Sequence, residues 1–134
     1  MCLRTKKLVI KLSKKDIYCI KACSRAPIDN TIGPFSGGTI YTVGETSNYE
    51  SFGVTNRSNS IEVDEGYHTF NSFKQAEKVF GKSYSYGLFI IPKGTLYIDG
   101  YFNNEKYKNR VSNYIRYISP YKPKKWWQLI FNKL

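Results

Sequence analysis

Apolar and polar positions along this chain alternate with period two in some stretches and follow helical spacing in others. Around Asp16–Ala22, Ile17, Cys19 and Lys21 alternate with Tyr18, Ile20 and Ala22, which predicts a strand partly covered on both faces. Residues 24–38, with Pro27, Gly33, Pro34, Gly37 and Gly38, read as loop, and Thr39–Val43 as a short β-branched and aromatic strand. Residues 44–60 are polar and read as a long loop or irregular hairpin. A helix is expected over 72–80. Ser72 can cap it with Gln75 as capping-box partner, Phe73, Ala76, Val79 and Phe80 form one stripe, and Gly81 stops it. Tyr86–Ile91 and Thr95–Tyr101, joined by Pro92-Lys93-Gly94, read as a hairpin, and Val111–Ser119 as a further strand.

In the last segment Trp126, Trp127, Ile130, Phe131 and Leu134 fall on one face of a helix behind Pro123. Such a stripe must cover something, either the domain's own core or a partner surface. The expected class is therefore α+β: a small antiparallel sheet with one central helix and a C-terminal amphipathic helix. The organisation is a basic arm over 1–14, a single domain over 15–121, and a basic Trp-containing helix over 122–134.

A length of 134 residues suits one domain, and 41% hydrophobic with 16% aromatic residues sets the chain apart from disordered sequences. The three cysteines, Cys2, Cys19 and Cys23, crowd into the first 23 residues, which does not make a disulfide framework; Cys19 and Cys23 read as buried thiols in a reducing compartment. No apolar stretch has the ~18–20 residues of a membrane span, and Leu8–Leu12, broken by Lys11, is too short for a signal peptide. The cytoplasm is the expected location.

Charge changes the picture most. The net charge is +11, with 21 basic and 10 acidic residues. Acids concentrate between residues 26 and 73, whereas Lys106–Leu134 holds eight Lys/Arg and no acid. There Lys106, Tyr107, Lys108, Arg110, Tyr114, Arg116, Tyr117, Tyr121, Lys122, Lys124 and Lys125 interleave cations with rings. Cations neutralise phosphates and aromatic rings stack on bases, so this stretch predicts an anionic partner. A solvated basic face over a Tyr-rich core would leave the same pattern.

Catalytic signals are weaker. His68 is the only histidine and stands just before the helix, where a capping or packed role suits it. Cys19-x3-Cys23 lacks the paired spacing of a zinc site, and no metal or cofactor is expected. Gly33–Thr39 is glycine-rich but lacks the lysine and following helix of a phosphate loop. Asp64 and Glu65, adjacent before Gly66, read as a solvated turn rather than a catalytic pair.

The order Ile17–Lys21, then Gly66-Tyr67-His68-Thr69-Phe70 before a helix carrying Ala76, then Ile91-Pro92-Lys93-Gly94-Thr95-Leu96-Tyr97 on to Gly100, resembles a group of small uncharacterised proteins from phages and mobile elements of gut-type bacteria. The resemblance carries no catalytic residue. It implies a small phage protein acting by binding, with nucleic acid, a nucleotide or a nucleic-acid-handling defence complex of the host as partner. The alternatives are a nucleotide-directed transferase or hydrolase using His68, and a virion or assembly component.

Overall fold

The period-two segments dominate the computed structural model, which describes residues 3–24, 27–34, 40–57, 60–102 and 107–121. In chain order these hold β1 (Leu3–Thr5), β2 (Lys11–Leu12), β3 (Ile17–Cys23), β4 (Thr31–Ile32), β5 (Tyr41–Thr42), β6 (Thr46–Asn48), β7 (Gly53–Arg57), β8 (Ser60–Glu65) and β9 (Tyr67–Thr69). Then follow the helix α1 (Phe73–Phe80) and β10 (Ser85–Ile91), β11 (Leu96–Phe102), β12 (Tyr107–Ser112) and β13 (Tyr114–Tyr121). The protein is mostly β, which overturns the expected α+β class. Its one helix among the described residues has eight residues and packs on a sheet through Ala76. The expected C-terminal amphipathic helix, residues 122–134, lies outside the described residues.

The polar stretch 44–60 forms the irregular hairpin rather than the long loop, β7 pairing antiparallel with β8 around a register shift. It supplies β6, β7 and the start of β8, and β6 and β7 are the outermost strands of their sheets. An edge strand draws order from backbone pairing on one side and needs no apolar run. The stretch read as a basic arm holds β1 and β2. Leu3 is fully buried, and β1 is hydrogen-bonded between β8 and β11.

The larger sheet runs β7-β8-β1-β11-β12-β9, with β2 also on β11; the smaller runs β3-β10-β13-β6, and β4 pairs β5. The expected hairpin does not form. Both strands exist, but β10 pairs with β3 and β13, while β11 pairs with β1, β2 and β12. Pro92–Thr95 instead carries the chain from one sheet to the other, and Asn113 does the same between β12 and β13. One long hairpin is thus bent at mid-length, each half serving a different sheet, as at the corners of orthogonal sheet packings.

Both bends are pinned by hydrogen bonds. Leu96 N donates to the Asn113 side-chain oxygen at 3.2 Å, and Asn113 N to the Leu96 carbonyl at 3.2 Å. Buried Ser13 grips the other bend: its hydroxyl donates to the Pro92 carbonyl at 2.7 Å and accepts from Thr95 N at 2.9 Å. Backbone bonds of 2.8 Å in both directions between Ile20 and Phe70 tie β3 to the end of β9. Hydrogen bonding therefore runs from β12 through β9, β3 and β10 to β13, and the chain itself closes the circuit at Asn113.

Inside the circuit Cys19, Phe89, Ile91, Ile115 and Tyr117 pack together; α1 covers Ile20, Ala22, Phe70 and Tyr86. On the larger sheet Leu3, Val63, Ile98 and Val111 form a third cluster. Gly100 is what lets β1 approach β11 there: a Cβ at this position would lie 2.4 Å from Leu3 Cγ and 2.7 Å from the Arg4 carbonyl oxygen.

Candidate functional site

β11 sets the geometry of the site. Strand alternation sends Ile98, Gly100 and Phe102 to the buried face and Tyr97, Asp99 and Tyr101 to the other. Register then fixes their neighbours. Tyr101 stands opposite Arg4 on one side and Lys108 on the other; Asp99 stands opposite Arg110, and Tyr97 opposite Lys11. Directly opposed side chains lie within ~4.5–5.5 Å at Cβ, so Tyr101 is flanked by cations on both sides, while Tyr97 has Lys11 on one side and Ser112 on the other.

An ion network stiffens the middle. Arg110 Nε donates to Asp99 Oδ1 at 2.7 Å and Lys11 Nζ to Oδ2 at 3.1 Å, while the Arg110 guanidinium lies 4.6 Å from the Tyr97 ring centroid. Partial burial pushes the Asp99 carboxyl upward, but hydrogen bonds from Arg110 and Lys11 outweigh it and hold the group below its ordinary range. Arg4 pairs with Glu62 at 3.8 Å. Three open grooves adjoin the rings. Tyr101 borders one with Asn71, Lys108 and Arg110, and another with Thr5, Lys6 and Lys7. Tyr97 borders the third with Lys11, Lys14, Lys15 and Ile17.

Of the residues singled out in the sequence, Lys108 and Arg110 lie on this face. Tyr107 points the other way and packs against the α1 cluster, as does Tyr121, 5.3 Å from Phe73. Tyr117 is 1% exposed, its ring 5.1 Å from that of Phe89, and offers a base no surface. Tyr114 is exposed and Arg116 donates to Thr46 Oγ1 at 3.1 Å, but both belong to the smaller sheet. Lys106, Lys122, Lys124 and Lys125 lie outside the described residues, as do Trp126, Trp127, Ile130 and Phe131. Sequence reasoning missed Arg4, Lys6, Lys7, Lys11, Lys14, Lys15, Tyr97 and Tyr101. A usable signal was present: Tyr97-x-Asp99-x-Tyr101 and Lys108-x-Arg110 repeat at the two-residue spacing of a strand face.

His68 is elsewhere. It stands opposite Val111, on the sheet face away from Arg110, with its ring 6.1 Å from Phe102. Neither ring nitrogen completes a hydrogen bond among the described residues. Burial, and then the charge of Lys21, push its pKa down to about 3, so the imidazole is neutral near pH 7. Lys21, itself buried, donates to the His68 carbonyl at 3.0 Å, and burial drives its pKa down. Burial pushes the Cys19 thiol up to about 12 and that of Cys23 to about 11. Both are protonated and donate to backbone carbonyls, of Phe89 and Lys21 respectively, so neither is an activated nucleophile. Among the described residues no three His, Cys, Asp or Glu side chains cluster to hold a metal, and no helix is long and apolar enough to cross a membrane.

No family of known proteins, no curated protein and no solved structure matches this chain.

Proposed function

We propose that this is a non-catalytic basic binding protein that engages an anionic partner, nucleic acid foremost, through the face formed by Arg4, Lys11, Tyr97, Tyr101, Lys108 and Arg110. The observation that supports it is the register: cations and rings are neighbours across four strands, β1, β2, β11 and β12, on one face, while the reverse face carries the buried Leu3, Val63, Ile98 and Val111. A sheet so divided is held from behind and offers charge in front, the arrangement phosphate neutralisation needs. The cellular setting follows from the resemblance to phage and mobile-element proteins. There the protein works in the host cytoplasm, on nucleic acid or on a nucleic-acid-handling defence complex whose ligand site it occupies and blocks.

The test is a salt titration with charge reversals. With about four to six phosphates contacted, log affinity should fall against log salt with a slope of about −3 to −5. Lys11→Glu with Lys108→Glu should abolish binding, whereas Arg116→Glu, a reversal on the smaller sheet, should leave most of it. Absence of binding at low salt, or equal loss from all three reversals, would overturn the reading.

A further inference from the structure

We infer that the ligand of this face is a single strand, held by stacking bases on Tyr97 and Tyr101 while its phosphates run along the flanking lysines; the inference rests on the function proposed above. Tyr97 and Tyr101 are four residues apart on the same face of β11, hence ~13 Å apart at ~3.3 Å per residue. Bases stacked in a duplex repeat every ~3.4 Å and turn their faces to each other, so two rings this far apart can be covered only by bases splayed out of a stack. A duplex is read by an element that enters its groove, and this face is a sheet surface. The one described helix packs its apolar stripe on Ile20, Ala22 and Tyr86.

Asp99 adds direction. Its carboxylate sits between the two rings, gripped by Lys11 and Arg110, and weakens their pull on a phosphate at the centre line. Phosphates are left to the grooves at the sides, where Lys6 and Lys7 adjoin Tyr101 and Lys14 and Lys15 adjoin Tyr97. The bases then fall over the rings. Arg110 already stacks over one face of the Tyr97 ring, so a base at this end is received on the ring's other face or on the guanidinium plane itself.

The experiment compares four probes on the unmodified protein by fluorescence anisotropy: an oligothymidylate, an abasic strand of equal length and charge, a duplex of that length, and heparin. Oligothymidylate should bind at least roughly five- to a hundredfold tighter than the abasic strand, the range expected for one stacked base, and more with both rings covered. It should also bind tighter than the duplex. Tyr101→Ala should remove most of that preference without changing the salt slope, and Tyr101→Phe should keep it. If the abasic strand or heparin binds as tightly as oligothymidylate, or the duplex binds tighter, the stacking inference falls and the charged-face reading survives. If none of the four binds, both fall.

Discussion

Lys21 and Lys11 are both lysines on strands of this protein, and their surroundings treat them oppositely. Lys21 is sealed between Cys19 and Cys23, with the His68 carbonyl as its recorded acceptor, and burial works against its charge. Lys11 is half in water and shares a carboxylate with Arg110. The difference separates cations that belong to the fold from cations available to a ligand. A net charge of +11 counts both kinds alike. Only the second kind can release counterions when a polyanion arrives.

Acid should break the buried centre first, and this is the largest effect expected. His68 has an ordinary pKa of 6.5 and a folded-state pKa of about 3, so the unfolded chain binds more protons between those values. The His68 contribution is therefore undiminished above pH 6.5 and falls as the pH drops towards 3, by up to ~1.4 kcal/mol per unit. Urea denaturation at pH 7, 5 and 4 should show the decline. His68→Leu should flatten it at little cost at pH 7, because a buried ring whose nitrogens are at best weakly satisfied, by the Asp64 backbone, disappears. A decline that persists in His68→Leu would assign the acid sensitivity elsewhere.

Next is Asp99, where the sign of the pH effect is ordinary for a carboxylate. Its folded pKa lies below 3.8, so its contribution is present above that value and lost as the pH falls through the folded pKa, below most of the His68 window. Asp99→Asn should cost at most ~1 kcal/mol, since the carboxylate is 39% exposed, and should raise affinity for an abasic strand a few-fold. Unchanged affinity would mean that the carboxylate does not shape the field of the face. Lys108→Gln is the smallest change. Thermal stability should stay within ~0.5 kcal/mol while the salt slope becomes shallower by about 1.

Local features were legible in the sequence wherever one residue type has one physical job. Ser72 Oγ accepts from Gln75 N at 3.3 Å, and Gly81 ends the helix at φ 84. The strands around Pro92–Thr95 were legible too, but not their partners. Proline and glycine announce a turn without saying whether the flanking strands meet or part, and here each pairs with other strands instead. The run of cations and rings from Tyr107 to Tyr121 looked continuous because sequence shows proximity along the chain. Asn113 divides it between two sheets, and alternation then buries Tyr117 while exposing Lys108. β1 was hidden for a different reason. Its three residues have one apolar side chain, Leu3, and only Gly100, far along the chain, makes room for it.

That distant pairing governs how the molecule is made. As the polypeptide leaves the ribosome, β1 emerges with nothing to join; Val63 must follow before Leu3 has one neighbour, and Tyr101 before Arg4 has the other. The closure entropy of such a span comes due before any contact rewards it, so folding is expected in the slow, millisecond-to-second regime of non-local sheets. The basic face is completed late, since Lys108 and Arg110 pair with β11 only after β12 has been synthesised. A nascent chain can thus carry two thirds of its cations into the cell before it owns a surface on which to use them.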